Sequence, residues 1–376
     1  MTKKRIVYVR SNPVSPDSRV EREVGALSNA GYDVTVLAWG RSGMRNGLTE
    51  QRNGYEIVRI PLPAPLGIKV IPFIPVWWIC EFIWLLTHKW DIAHAADFDT
   101  CPPALFVTKL KRKKLVYDIF DTYAERLKNR HLRYIINKID VHLMRLADAI
   151  IIVDSCRLCF VPEGALDKTT LIYNCPVDIS KDECNVDGIH KSTKFKIFYG
   201  GIFTPYRDVK TMIDVVTAIP DSELIIAGGG QPNLVNDLCD YISEKECISY
   251  IGIQQYSSIL EHSYAADLLF ALYDPIIPNN RLASPNKLFE AMMCGKPIIV
   301  NEGVATADKV REENCGLVVP YGDYEVLKEA VLTLKNNPEL RKEFGENGRR
   351  AYETKYNWKI MEKRLLDLYA SLEKEQ

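Results

Sequence analysis

The chain has 376 residues, 47% of them hydrophobic and 26% charged, with a formal net charge of −1. That length exceeds one ordinary core and suits two α/β domains of roughly 100–200 residues each. The composition excludes disordered and collagen-like classes, and the balanced charge gives no reason to expect a nucleic-acid partner.

Met1 to Arg5 is a short charged start without a signal-peptide pattern, and a first strand follows directly, so a cytoplasmic location is expected. Ser18 with Glu21 forms a capping box that opens a helix, Val20, Val24 and Leu27 give its apolar stripe, and Gly31 stops it. Further strands are expected at 33–39, 56–60, 92–95, 114–117 and 149–153, with a long basic helix over 122–147. The run 68–90 is the most apolar stretch, but Pro72, Pro75 and Glu81 interrupt it, so it is not expected to span a bilayer. Two readings stay open for it. One is a buried helix beside the sheet. The other is a peripheral contact with the inner face of a membrane, with Trp77, Trp78 and Trp84 at the interface and the basic run 109–114 nearby. Residues 1–190 carry 26 Lys plus Arg against 22 Asp plus Glu, whereas 191–376 carry 22 against 27, a modest bias that suits an anionic ligand or membrane surface on the first half.

Residues 171–173 read as one more strand, and the polar stretch from Asn174 to Lys194 as a linker, giving domains at 1–190 and 191–356. A second alternating set follows at 196–199, 223–227, 249–251, 268–271, 297–300 and 316–319. The fold class is therefore α/β, two Rossmann-like domains facing one another across a central cleft, with ligand at the carboxyl ends of the strands. The ten cysteines read as reduced thiols. Cys156 and Cys159 form a C-x-x-C, but with Cys175 and Cys184 they match no compact zinc finger, and no metal is expected.

Three loops of the second half suit a diphosphate. In the segment Tyr199 to Arg207, Gly200 and Gly201 end a strand and let backbone amides approach a phosphate, while Arg207 supplies a forked cation. Gly228, Gly229 and Gly230 end another strand and leave room for a flat ligand. In the third, Pro285 suits a helix start, so the amides of Asn286, Lys287 and Leu288 become unpaired first-turn donors. With the helix dipole and the Lys287 ammonium they make an anion site. Glu290 lies about one turn further in, able to accept from sugar hydroxyls, and Gly295 and Pro297 end the helix.

In these segments the chain resembles the retaining glycosyltransferases of family 4, which have the GT-B fold. The likeness runs through Asp17-Ser18-Arg19-Val20, Asp91-Ile92-Ala93-His94-Ala95-Ala96-Asp97, Val116-Tyr117-Asp118, Ile172-Tyr173-Asn174, the three loops and Tyr356-Asn357-Trp358. Its most specific piece runs from Asn286 to Pro297. The resemblance implies transfer of a hexose from a UDP- or GDP-linked donor, a substrate rather than a cofactor, to a glycan or polyprenyl-diphosphate-linked acceptor. Retention of anomeric configuration, no metal, and a role in polysaccharide or glycoconjugate synthesis are implied with it. Gly200, Gly201, Arg207, Gly229, Asn286, Lys287 and Leu288 would hold the donor, Glu290 the ribose, and the backbone near Ile253 would border the base. The N-terminal domain would take the acceptor, with Asp17, Arg19, His94 and Asp97 as candidates. Arg207, Lys287 and Asp121 form the implied catalytic set, and the last helix, 357–376, would return to the N-terminal domain.

Three departures bear on the site. The acid that the family places eight positions before Glu290 would fall at Leu282, which leaves Asn279, Asn280 or Arg281 to stand in and the sugar unassigned. Phe120-Asp121 stands where many relatives have His-Glu, so Asp121 or His94 takes that role. Ser11-Asn12-Pro13 replaces the usual Gly-Gly after the first strand. A nucleotide-sugar epimerase of related fold and a non-catalytic binding protein are the alternatives. A nicotinamide dehydrogenase is disfavoured, since no G-x-G-x-x-G follows the first strand.

Overall fold

A computed structural model describes residues 3–15, 17–41, 48–65, 67–127, 129–184 and 193–374. The chain divides into two compact units, Met1–Tyr173 with Met361–Gln376, and Asn174–Ile360. The first unit is built on β1 (Arg5–Arg10), β2 (Asp33–Trp39), β3 (Thr49–Arg52), β4 (Tyr55–Ile60), β5 (Ile92–Ala96), β6 (Lys114–Ile119), β7 (Ala149–Ile152) and β8 (Thr169–Leu171). They form one sheet in the order β3-β4-β2-β1-β5-β6-β7-β8, parallel except for β3 against β4. The second unit carries β9 (Phe195–Gly200), β10 (Ser222–Ala227), β11 (Ile248–Tyr250), β12 (Leu268–Ala271), β13 (Ile298–Asn301) and β14 (Gly316–Val319), all parallel, in the order β11-β10-β9-β12-β13-β14. Short runs such as the Ala-rich β5 and the Ile-rich β7 and β13 are buried throughout, as expected of parallel strands covered on both faces.

Strand order reverses between β1 and β5 in the first unit, and between β9 and β12 in the second. Chains leave each such pair in opposite directions, so a crevice opens at the carboxyl ends, where open α/β sheets bind ligands. In the first unit the helices Ile74–Thr87, Cys101–Lys111 and Arg130–Leu146 pack one on the next as a layer over the sheet.

Several expectations are corrected. The division falls after Tyr173, not near 190, because the chain from Asn174 onward is already tied into the second unit. Asn174 donates to the Ser284 carbonyl at 3.2 Å, Tyr352 to Pro176 at 3.0 Å, and Arg349 to both oxygens of Asp178 at 2.8 Å. Part of the expected linker, residues 185–192, lies outside the described residues. The chain returns to the first unit at Met361, inside the helix Trp358–Lys374, rather than at 357. β3 is additional, and its hairpin turns at Asn53 and Gly54, both at positive φ (46° and 88°), a turn signal that the strand pattern overlooked. The first helix is capped by Asp17, which accepts from the Val20 amide, and not by Ser18. The long helix begins at Arg130, capped by Asn129, after a separate 3-10 turn at Tyr123–Arg126.

Candidate functional site

In the second unit three loops at the strand ends are laced together by their backbones. Gly201 N–H donates to Ala227 at 3.0 Å, Gly228 N–H to Gly252 at 2.8 Å, and Phe203 N–H to Gly229 at 2.8 Å. Gly228 sits at φ +128°, and a Cβ there would run into the Gly201 carbonyl, so only glycine keeps these loops in contact. At Gly201 the obstacle is different: a Cβ would occupy the place of the Lys287 ammonium and lie 2.9 Å from its Cε. The Lys287 Nζ thus rests against bare backbone, 4.6 Å from the Tyr199 ring centroid. Burial pulls its pKa down, but Tyr199, Tyr273 and Glu290 outweigh that and hold it above the ordinary lysine value, so the ammonium stays charged at neutral pH.

Arg207 is fixed from two sides. Its Nη1 donates to Asn280 Oδ1 at 2.9 Å and its guanidinium lies 3.6 Å from the Tyr273 ring centroid. Asn280 in turn donates to the Asp274 carbonyl at 3.0 Å. The helix Asn286–Met293 starts after Pro285, which is its cap rather than its first residue. Leu288 N–H bends back to the Pro285 carbonyl at 3.2 Å, so Leu288 is removed from the expected donors, leaving the first-turn amides of Asn286 and Lys287. Glu290 is buried one turn on. At the far end Arg349 donates to the Met293 carbonyl at 2.8 Å, where a cation favours the helix dipole. Ile253 is 83% exposed beside Gly229. Of the candidates for the acid absent at Leu282, Asn280 is spent on Arg207 and Asp274, and exposed Arg281 donates to the Pro275 carbonyl at 2.5 Å. A cavity of about 290 Å³, lined by Phe203, Asp208, Lys210, Leu234 and Asp237 among others, shares Arg207 with this site but not Gly201, Lys287 or Glu290.

The first unit has its own cavity, about 420 Å³, at the carboxyl ends of β1 and β5. Arg10, Ser11, Asn12, Arg41, Asp97 and Asp99 supply its polar wall, and Val70, Ile71 and Leu127 an apolar one. Arg10 bridges Asp97 at 2.6 Å and Asp17 at 3.0 Å. Asp97, at φ +72°, accepts the amides of Phe120 and Asp121 at 2.9 and 3.1 Å. The Phe120 ring lies under two guanidinium groups, Arg10 at 4.2 Å and Arg19 at 4.8 Å. Asp121 pairs with Arg157 at 3.5 Å. Sequence reading found Asp17, Asp97 and Asp121 but missed Ser11, Arg41 and Asp99 as wall residues. Their signal was positional: each follows the end of β1, β2 or β5 by no more than a few residues.

His94 and Arg19 are corrected from acceptor ligands to buried structure. His94 has no exposed surface, meets the Tyr369 hydroxyl at 2.8 Å through Nδ1, and faces Asp118 at 3.4 Å through Nε2. Arg19 pairs with Glu23 at 3.0 Å and Asp118 at 3.1 Å, and Tyr8 donates to Glu23 at 2.7 Å. Glu23, His94 and Asp118 bring ligand-type atoms within 4.8 Å of one another, yet the Arg19 guanidinium already supplies the positive charge. Burial raises Glu23 to about 7 against the opposing charges of Arg19 and His94, and burial lowers His94 to about 4. The group ties the last helix, through Tyr369, to the middle of the sheet. Cys156 and Cys159 sit on one 3-10 turn, and all ten cysteines are free thiols.

The apolar run divides by face: one side is a buried helix beside the sheet, and the other is exposed. Ile74, Trp77, Glu81 and Leu85 are buried, with Trp77 stacked on Trp39 at 5.2 Å, which removes Trp77 from any interface. Ile79 and Ile83 face outward. Among the described residues, Lys69–Thr87 is the one helical run long and apolar enough to cross a membrane by length and composition. Glu81 is fully buried with neither carboxylate oxygen hydrogen-bonded, and burial, with Asp99 adding, pushes its pKa well up.

Residues 181–351 match the family described as Glycosyl transferases group 1. Over 168 residues the chain is 29% identical to a GDP-mannose-dependent monoacylated alpha-(1-6)-phosphatidylinositol monomannoside mannosyltransferase of Corynebacterium glutamicum, a match covering 43% of this chain and 42% of the relative. The chain thus spans less than half of that relative's length. Sucrose-phosphate synthase from Thermosynechococcus elongatus superposes with a TM-score of 0.80 at 16% identity, covering both chains completely. Anabaena HepE in complex with UDP-glucose superposes at 0.73 and 16% identity, covering 98% of this chain and 99% of the other. At such identities the likeness speaks for the fold, which is GT-B.

Proposed function

We propose that this chain, whose residues 181–351 match the family described as Glycosyl transferases group 1, is a retaining hexosyltransferase that uses a UDP- or GDP-linked sugar. One observation carries the reading. The Lys287 ammonium lies against the bare backbone of Gly201 at the carboxyl end of β9, and Lys287 itself stands in the first turn of the helix Asn286–Met293. Breaking a glycosyl–phosphate bond builds negative charge on the departing diphosphate, and preformed donors held in place stabilise it without reorganising. Arg207, braced by Asn280 and Tyr273, adds a second fixed cation. Two cations and a helix start give the charge that a divalent ion would otherwise bring, so the reaction is assigned a metal-independent course.

Glu290 is assigned to the ribose and the backbone around Ile253 and Gly229 to the base. The acceptor hydroxyl attacks on the leaving-group side and passes its proton to the departing phosphate oxygen, which gives retention without a protein base. The acceptor, a glycan or a lipid-linked glycan such as a polyprenyl-diphosphate sugar, is assigned to the Arg10–Asp97–Asp99 cavity of the first unit. Asp121 stands beside it as an orienting group, its backbone amide held by Asp97. The chain is proposed to work in the cytoplasm, where its thiols stay reduced, in the synthesis of polysaccharide or glycoconjugate. The GDP-mannose dependence of the Corynebacterium glutamicum relative and the UDP-glucose bound to HepE support a nucleotide-sugar donor.

The test is a thermal-shift screen with UDP, GDP and their hexose conjugates, since a ligand of the folded state raises its melting temperature. One nucleoside diphosphate should stabilise the protein, and excess EDTA should leave both binding and turnover intact. No shift with any of them sinks the donor assignment. Activity lost in EDTA and restored by Mg²⁺ or Mn²⁺ rejects the metal-free course. Epimerised donor appearing without acceptor decides for an epimerase.

A further inference from the structure

Three neighbouring helices of the first unit turn large apolar side chains to solvent. Ile79 and Ile83 on Ile74–Thr87 are 59% and 54% exposed, and Phe106 and Leu110 on Cys101–Lys111 are 63% and 62% exposed. Each pair is spaced i,i+4, one outward stripe per helix. Phe82 joins the two helices, its ring 5.8 Å from that of Phe106. Leu132, Ile135 and Ile139 carry the exposure onto Arg130–Leu146. Soluble surfaces scatter such residues singly rather than in a contiguous patch.

Charge on these helices is one-sided. Their only acids are Glu81 and Asp140, and both are buried. Lys109, between Phe106 and Leu110, is exposed, as are Arg130, Lys138 and Arg145 on the third helix. The helices thus show water apolar and basic groups, and a neighbouring carboxylate, that of the partly exposed Asp148, is paired with Lys109 at 3.7 Å and Lys114 at 3.5 Å.

We propose that this face docks on an anionic lipid bilayer, lying in its interface as a monotopic surface, and that the acceptor is an amphiphile drawn from that bilayer. Val70 and Ile71, in the helical run that leads into Ile74–Thr87, also line the cavity of Arg10, Arg41, Asp97 and Asp99. Two guanidinium groups and two carboxylates suit a polyhydroxylated head, while the Val70–Ile71 wall leads its lipid chain to the apolar face. The acceptor part of this inference rests on assigning that cavity to the acceptor; the docking part does not.

The test is co-sedimentation of the full chain with phosphatidylcholine vesicles, with and without phosphatidylglycerol, across a salt series. Binding is expected to be at least about fivefold stronger to the anionic vesicles, and to weaken as salt rises. The variant Ile79→Ser/Ile83→Ser/Phe106→Ser/Leu110→Ser should lose at least about tenfold in partitioning while keeping its melting temperature and its nucleoside diphosphate affinity. Lys138→Glu/Arg145→Glu should lose only the preference for anionic lipid. No vesicle binding by the unaltered chain, or equal binding by the serine variant, overturns the docking surface. So does a dimer in light scattering that the serine variant abolishes, since a second copy would then cover the face. A water-soluble polyol acceptor used as efficiently as its lipid-linked form overturns the amphiphile. Nucleoside diphosphate affinity is measured on the same preparations: its loss in the unaltered chain speaks against the donor site and not against docking.

Discussion

Replacing Gly201 by alanine gives a perturbation whose consequence can be worked out atom by atom. The added Cβ would claim the position of the Lys287 ammonium. Lysine's far end is flexible and can swing away, so folding should change by less than about 1 kcal/mol, the more so because alanine restricts the unfolded chain. The displaced ammonium, however, no longer meets the diphosphate. A hydrogen bond to a charged group contributes about 1.5–3 kcal/mol, so Lys287→Ala should weaken UDP or GDP binding by roughly 10- to 150-fold. Gly201→Ala should reproduce a large part of that loss of affinity on its own. In the double variant it should add almost nothing, because the group it displaces is already gone. Isothermal titration with the tighter of UDP and GDP measures all four corners of the cycle. If Gly201→Ala weakens binding by the same factor with and without Lys287, the two do not act through one contact and the reasoning fails. Gly228→Ala is the contrast: with φ at +128° and backbone as its obstacle, it should cost about 1–3 kcal/mol of stability.

The buried carboxyl of Glu81 has no hydrogen-bond partner, so Glu81→Leu should stabilise the first unit by about 1–3 kcal/mol in denaturant unfolding. Because its folded pKa is raised, its stability contribution is present at low pH and lost as pH rises, so the gain should shrink toward pH 4; a gain independent of pH would contradict the burial account. Glu23, raised to about 7, likewise loses stability as pH rises through that value, whereas His94, lowered to about 4, loses it as pH falls below its unfolded value. The two slopes oppose each other between about pH 5 and 6.5. His94→Gln should therefore leave stability falling more steeply with rising pH across that range, and an unchanged pH profile by urea unfolding would refute the pairing.

Alternating apolar runs and helix signals were enough to find the parallel strands, because buried parallel strands are short, uniformly apolar and bounded by turns. β3 escaped because Thr49–Arg52 is a polar edge strand, visible only through the Asn53-Gly54 turn that closes it. Arg207, Lys287 and the glycines were readable because phosphate chemistry uses backbone gaps and cations close together in sequence. His94 was misread for the opposite reason: an imidazole between Asp118 and Tyr369, the latter 275 positions away, shows its burial only in three dimensions. Ser11, Arg41 and Asp99 assemble from three separate strand ends and carry no joint pattern in the sequence. The outward stripe at Phe106 and Leu110 reads in sequence as an ordinary core helix, and only burial shows which side of it faces water.

The Gly201–Lys287–Arg207 site is proposed to release a nucleoside diphosphate while its sugar passes to an acceptor. The most direct measurement incubates the protein with the donor that shifts its melting temperature and a lipid-linked sugar acceptor in excess EDTA, and follows both nucleoside diphosphate and the new glycosidic proton by NMR. Equal amounts of nucleoside diphosphate and glycoside, with the donor's anomeric configuration kept and both lost in Lys287→Ala, are the predicted result. An inverted linkage, or a donor altered without any acceptor consumed, would contradict it.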